Sequence, residues 1–308
     1  LLRRIRREQP DTYGQCFGYY DCDLIADAIL RGRREEITAY FDLFKQHPAK
    51  HIDQFAQVVD LLAWQGAEDQ LRELLEPTAD TICDSPKVLG GDFGLVWLTY
   101  LALFPFIEAG DDSPETLDKL RRAALAVGLL DASEPNQREW LGRQLRLASR
   151  SPAEAGLDLK KPKDESFHHD VAWSFTGWAR RHKGLAWTSA RFLADSLLDY
   201  WGWKAEKKRG ANPFRLDETQ LDAYLAQWCR DLLWISGTKS MAMLQAFHYF
   251  ADYLVAHEYL SPTDAGSLHS AGARLFETAR KAADACDPAY RLFPTYEALV
   301  AEVRPATP

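Results

Sequence analysis

Two adjacent histidines and an aspartate, His168-His169-Asp170, are residues whose types could hold a metal ion. Imidazole nitrogen and carboxylate oxygen are both ligands of divalent ions, and a bound ion can activate a water molecule for hydrolysis. The same stretch comes directly before an apolar helical pattern. It therefore also suits the polar start of a helix, with Asp170 or Ser166 as the cap and the carboxylate near the positive end of the helix dipole. The sequence favours the helix start.

The His-Asp pair resembles the one that supplies two metal ligands in HD-type phosphohydrolases, which are also all-helical. This resemblance implies an alternative function, a metal-dependent hydrolase at His168, His169 and Asp170. Such a site requires more His and Asp ligands from other helices to complete the metal sphere. No spacing in the sequence selects those partners, so the sequence predicts neither a bound metal nor a cofactor.

A second candidate for chemistry is His248 with Asp252, which lie one helical turn apart on the same face. A carboxylate so close to an imidazole can raise the imidazole pKa and form an acid–base pair. His248 also lies at the edge of the apolar stripe of its helix, which is typical of a packing residue. Gly-x-Ser-x-Gly and phosphate-loop patterns are both missing from the sequence. The sequence therefore favours a protein without catalysis of its own.

Tryptophan is concentrated in one region, because seven of the ten tryptophans lie between residues 173 and 234. Aromatic and basic side chains interleaved in this way suit a protein interface or single-stranded nucleic acid, whereas tryptophans alone also suit a core. Core packing is the interpretation that the residue types favour, and the other two stay open. The candidate partner-binding residues are Trp173, Trp178, Arg180, Arg181, Lys183, Trp187, Trp201 and Trp203.

Helical periodicity dominates the chain and predicts an all-α fold. One apolar face with 3-4 spacing runs from Leu221 to Leu233, after the capping-box pair Asp217 and Gln220. A further helix start is predicted at Ser261, which precedes a proline. Strand alternation and hairpin turn signals are absent from the sequence.

A weak internal repeat marks the N-terminal half. Gly32 and Gly66 are 34 residues apart, and Gly110 is a candidate third turn after an insertion. The flanking apolar residues match in pairs: Leu24 and Ile25 with Val58 and Val59, Ile37 with Leu71, and Phe41 with Leu75. Residues 22–130 thus resemble tetratricopeptide-like helical repeats, which implies a solenoid that presents an extended binding surface.

The C-terminal half resembles a helical module found in uncharacterised bacterial proteins. The resemblance covers about 191–286 and rests on Asp199-Tyr200, on the apolar patterns of 221–228 and 247–254, and on Leu260-Ser261-Pro262. It implies a helical fold and no known chemistry. We predict a repeat-like domain over 1–150, a linker or long loop over 151–167 that is rich in proline and charge, and a Trp-rich module over 168–308, packed on or linked to the first.

Charge and composition favour some classes of protein over others. The formal net charge of −8 argues against a general nucleic-acid binder, although residues 160–209 carry 11 positive and 6 negative side chains. Five cysteines without metal or disulfide spacing favour a reduced, cytoplasmic protein. The longest apolar run, 93–107, is too short for a membrane span. We expect a scaffold or regulatory protein that binds another protein, with the single-stranded nucleic-acid alternative at 173–209.

Overall fold

The computed structural model describes residues 1–50, 52–83, 93–126, 137–159, 165–207, 214, 216–231 and 236–286. All regular structure in these ranges is helical, which confirms the predicted all-α class. The chain divides into two compact units, Leu1–Gly142 and Arg143–Pro308. The division falls inside one helix, Gln137–Ser149.

Unit 1 contains short helices at its start and longer ones towards its end. They are α1 (Leu2–Glu8), α2 (Pro10–Gln15), α3 (Phe17–Leu30), two 3-10 turns (Arg34–Glu36 and Thr38–Tyr40), α4 (Asp42–Gln46), α5 (Ile52–Trp64), α6 (Glu68–Leu75), α7 (Ala79–Cys83), α8 (Phe93–Ala109), α9 (Pro114–Ala126) and the first part of α10 (Gln137–Ser149). Successive helices pack on one another: α3 on α5, α5 on α6, α6 on α8 and α8 on α9.

Gly32 and Gly66 end α3 and α5 with the same local geometry. Both have φ +66°, a conformation that glycine adopts without strain. Gly32 N–H donates to Ile29 O at 2.9 Å, and Gly66 N–H donates to Ala63 O at 3.1 Å. In each case the next residue donates to the carbonyl five positions back, at 2.8 Å and 2.9 Å, which completes a Schellman motif.

The apolar positions matched between these two segments are all buried: Leu24, Ile25, Ile37, Phe41, Val58, Val59, Leu71 and Leu75. The segments differ after the glycine, because 3-10 turns follow Gly32 whereas the α-helix α6 follows Gly66. Gly110, the candidate third turn, ends α8 with φ +63°. The tetratricopeptide-like arrangement itself stays a prediction.

Helix α8 includes the long apolar run of the sequence and continues through Pro105. Leu101, Phe104 and Ile107 on this helix are buried, so the run packs inside unit 1. Among the described residues, no helix combines the length and apolar character that crossing a bilayer requires.

The described part of unit 2 contains five long helices besides the end of α10. They are α11 (Glu165–Lys183), α12 (Trp187–Glu206), α13 (Glu218–Asp231), α14 (Ser236–Ala256) and α15 (Pro262–Cys286). Helix α12 packs on both α11 and α14, and α14 packs on α15. Phe175 lies at the centre, with edge-on ring contacts to Phe250 at 5.5 Å and Tyr253 at 5.8 Å.

Two predicted helix starts are confirmed by their caps. The Asp217 carboxylate accepts a hydrogen bond from Gln220 N–H at 3.0 Å at the start of α13. Ser261 Oγ accepts one from Asp264 N–H at 3.1 Å at the start of α15. Each cap satisfies an amide that has no partner inside its own helix.

The predicted linker, 151–167, is structured at both of its described ends. Residues 151–159 form turns that bury Leu157 and Leu159, and Glu165 already begins α11, which buries Phe167. Residues 160–164 lie outside the described residues. Buried leucines in this stretch are not typical of a solvated linker.

Candidate functional site

The five tryptophans proposed as partner anchors are buried in the core of unit 2. Trp173, Trp178, Trp187, Trp201 and Trp203 all lie beneath neighbouring side chains. Their burial agrees with core packing, the interpretation that the residue types favour. Residues 171–179 of α11 are buried on all sides rather than along one stripe. The indoles therefore cannot act as exposed stacking platforms for bases.

The cations interleaved with these tryptophans are engaged within unit 2. Arg180 donates to Leu185 O at 3.0 Å, and Arg181 donates to Ala148 O at 2.5 Å. Both arginines lie in the last turn of α11, where basic residues interact favourably with the helix dipole. Lys183 points to a different partner, the carboxylate of Asp252. These side chains stabilise the structure of unit 2, and their role in binding a partner stays a prediction.

The described residues whose ligand atoms come together as a group do not include His168, His169 or Asp170. Asp170 is buried, with a side chain that is 6% exposed. Its carboxylate accepts one hydrogen bond from Arg143 Nε, at 2.9 Å, and a second from an Nη of the same guanidinium. The His168 ring lies 5.4 Å from the Trp201 ring, and His169 is exposed. The predicted cap is also corrected, because α11 begins at Glu165 and places Ser166 and Asp170 inside the helix.

A different cluster brings imidazoles and a carboxylate together on α14 and α15. Ligand atoms of His248, Asp252 and His269 all lie within 4.8 Å of one another. His269 Nε2 lies 3.1 Å from Asp252 Oδ1, and the Lys183 ammonium donates to Asp252 Oδ2 at 2.7 Å. The His248 and His269 rings are stacked, with centroids 3.8 Å apart. We call these four residues the His-Asp-Lys cluster.

The surroundings fix the charge of two members of the cluster. Burial lowers the pKa of His248 to about 4, and the neighbouring His269 adds to this effect, so His248 is neutral at pH 7. Partial burial alone would raise the pKa of Asp252. Hydrogen bonds from His269 and Lys183 outweigh that burial and hold the pKa at about 2, so Asp252 is ionised. The cluster thus presents a neutral imidazole beside a carboxylate.

Aromatic rings surround the cation of the cluster. The Lys183 ammonium lies 5.6 Å from the Trp178 ring centroid and 5.1 Å from that of Tyr249, within the range of cation–π attraction. The His182 ring also stacks on Trp178, with the two ring centroids 5.2 Å apart. These contacts hold Lys183 at the carboxylate and fix the side of Asp252 that it occupies.

A surface pocket of about 500 Å³ lies elsewhere in unit 2, between the turns of 152–159 and the end of α14. His257 and Tyr259 line it from the α14 side. Burial lowers the pKa of His257, and the positive charges of His182 and Arg181 add to that effect. The His257 Nε2 atom is buried without a hydrogen-bond partner. Apart from Asp158, His257 and Tyr259, the residues that line the pocket are apolar or glycine.

Only two of the four residues of the His-Asp-Lys cluster are related by a pattern that the sequence shows. His248 and Asp252 are one helical turn apart on α14, which the sequence shows directly. His269 and Lys183 come from α15 and α11, so only the packing of three helices brings them to Asp252. The amphipathic pattern of α15 does not distinguish His269 from an ordinary boundary residue.

The sequence matches no family model, and no curated protein or solved structure is significantly similar to it.

Proposed function

We propose that the protein is a non-catalytic, helical interaction protein and that unit 1 binds another protein. The observation that carries this proposal is the recurrence at 34 residues: Gly32 and Gly66 end two helices with the same φ and the same pair of hydrogen bonds. Tandem helical units that bury their matched apolar faces against neighbours leave extended surfaces for partners.

Exposed aromatic side chains in unit 1 add support. Tyr19 on α3 is 44% exposed and Trp140 on α10 is 43% exposed, whereas most other described aromatic residues are at least partly buried. Tyrosine and tryptophan are enriched at the energetic centres of protein interfaces, because each buries a large apolar area and offers one polar group. Both positions are therefore the natural contact points to test.

Site-specific photo-cross-linking tests this proposal directly. A photoreactive phenylalanine analogue replaces Trp140 or Tyr19 in the full chain, expressed in the native host, and Glu206 on α12 of unit 2 serves as the exposed control. We expect a discrete adduct of one partner mass at position 140 or 19 and none at 206. The absence of an adduct at both unit 1 positions in folded protein would contradict the proposal, as would the same adduct at all three.

A further inference from the structure

The His-Asp-Lys cluster has the donor set of a transition-metal site. It offers two imidazoles and one carboxylate, the combination found at many zinc and non-haem iron sites. His248 and Asp252 come from one face of α14, and His269 comes from the facing helix α15. Ligands on two packed helices are held in place by the core of unit 2, because residues 241–254 of α14 are mostly buried.

The separation of two of the ligand atoms already fits a bound ion. In a tetrahedral zinc site with bonds of about 2.1 Å, two ligand atoms lie about 3.4 Å apart. His269 Nε2 and Asp252 Oδ1 are 3.1 Å apart, so both atoms can bind one ion that lies beside the line between them once they separate by about 0.3 Å. The His248 nitrogen lies within 4.8 Å of these atoms and reaches the ion when its ring turns out of the stack with His269.

Metal ligands must present lone pairs, which requires neutral imidazole and ionised carboxylate. Binding of an ion at these three side chains therefore competes with protons, so the affinity for the ion falls at low pH.

Lys183 defines how the carboxylate is shared. Its ammonium holds Oδ2, which leaves Oδ1 directed to His269 and available to the ion. A carboxylate that binds an ion through one oxygen and a second group through the other is a common arrangement around protein metals. The nearby positive charge also lowers affinity for a cation, so the site is suited to a strongly coordinating ion rather than to Mg²⁺ or Ca²⁺.

We propose that His248, Asp252 and His269 form a binding site for one divalent transition-metal ion, with Zn²⁺ as the best fit. Irving–Williams affinities and the imidazole content favour Zn²⁺ over Mn²⁺ or Fe²⁺ among available ions. The site lies wholly in unit 2, so its loss leaves the unit 1 surface intact, and a failure here does not affect the interaction function proposed above.

The test uses the full chain without a histidine tag, stripped with a chelator. Zn²⁺ affinity is measured in competition with a chromophoric chelator, and Co²⁺ is added separately to observe its visible d–d absorption. We expect one ion per chain. Asp252→Asn and His269→Gln should each weaken binding by at least about tenfold, since each removes a ligand with little change of shape. His169→Ala is the matched control, because it removes an exposed imidazole of the same unit, and it should bind as the original chain does.

Two further measurements keep the result interpretable. Circular dichroism and thermal melting show whether each variant folds, and Zn²⁺ should raise the Tm of the original chain but not that of His269→Gln. Proton NMR of the original chain should show ring signals of His248 and His269 shifting with Zn²⁺ while that of His169 stays in place. The proposal is overturned if the original chain binds no Zn²⁺ or Co²⁺, or if His169→Ala abolishes binding while the other two variants retain it.

Discussion

The Lys183 ammonium lies 2.7 Å from Asp252 Oδ2, which ties the end of α11 to the last two turns of α14. The two residues are 69 positions apart in the chain. Because His269 of α15 contacts the other oxygen, one carboxylate joins three helices of unit 2. This ion pair is only a quarter exposed, so solvent screens it less than a surface pair.

Asp252→Asn should therefore reduce stability in a pH-dependent way. The pKa of this carboxyl is about 2 in the folded chain, below the usual value of 3.8, so its contribution is present above about pH 4 and is lost as the pH falls towards 2. We expect a cost of about 2 kcal/mol at pH 7, shrinking towards zero at pH 2. Urea unfolding with a chelator present, at pH 7 and at pH 3, measures this cost. Asp222→Asn, at an exposed position of α13, is the control, and an equal cost at both pH values would show that charge is not the cause.

Asp21 should have the opposite pH dependence. It is fully buried and accepts the Tyr13 hydroxyl at 2.6 Å, and burial raises the pKa of Asp21 to about 6. Because the folded pKa lies above the unfolded one, stability is highest at acid pH and is lost as the pH rises from about 4 to 6. The loss is at most about 3 kcal/mol.

Asp21→Asn should remove this dependence, so the difference in unfolding free energy between the variant and the original chain should change across pH 4–6. Guanidinium unfolding at several pH values gives that difference. Asp11→Asn, on an exposed residue of α2, should leave the pH profile unchanged. A constant difference for Asp21→Asn would mean that Asp21 titrates normally.

Gly177 on α11 should tolerate no side chain. A Cβ at this position would lie 1.7 Å from Ala148 O, a backbone atom of α10, so the two helices would have to separate. We expect Gly177→Ala to cost about 3 kcal/mol or more. Gly202→Ala on α12 meets nothing within 4 Å and should stabilise the chain by about 0.5–1 kcal/mol. Thermal melting of both variants compares them, and a neutral Gly177→Ala would contradict the close approach of α10 and α11.

The ion pair of Arg143 and Asp170 should be strongly coupled. Asp170 is buried, and removing the arginine leaves a buried carboxylate without compensation. We expect Arg143→Ala to cost about 2–3 kcal/mol, and the double variant with Asp170→Asn to recover part of that loss. A double-mutant cycle in urea gives the coupling energy, and a coupling near zero would show that the pair is not formed in solution.

Tryptophan substitutions distinguish core from surface. Trp173 is buried, and the Arg191 guanidinium lies 4.3 Å from its ring centroid, so Trp173→Ala should cost about 3–5 kcal/mol. Trp140→Ala removes an exposed ring and should change stability by less than about 0.5 kcal/mol. Chemical denaturation of both measures this contrast. Similar costs at the two positions would contradict the burial of Trp173.

Features determined by local sequence were predictable from the sequence. The caps at Asp217 and Ser261, and the glycine turns at 32 and 66, depend on residues within one helical turn, so the residue types alone indicate them. Core packing of the tryptophans was also the favoured interpretation, and Trp173 and Trp178 on α11 are buried. The extent of that burial was not predictable, because a helix covered on several sides loses the single apolar stripe that marks a core face.

Two of the four residues of the His-Asp-Lys cluster could be predicted, because they lie within one helical turn of each other. His248 and Asp252 are four residues apart, and this spacing predicts that their side chains share a helix face. His269 reaches it only because α14 and α15 pack together, and Lys183 only because α11 lies beside α14. His168, His169 and Asp170 are adjacent in the sequence, which is why their residue types suggest a shared site. On a helix, however, neighbouring side chains point about 100° apart, and Asp170 pairs with Arg143 instead.

The buried indoles of unit 2 also give the protein an optical property. Excited tryptophan emits at shorter wavelength in apolar surroundings than in water. The five buried indoles of unit 2 emit in this way, as do Trp64 and Trp97, which are buried in unit 1. Lys183 contacts both the Asp252 carboxylate and the face of Trp178. A cation bound at Asp252 as proposed changes the field at that indole, so the difference in emission between the original chain and Trp178→Phe carries the signal of occupancy without any added label.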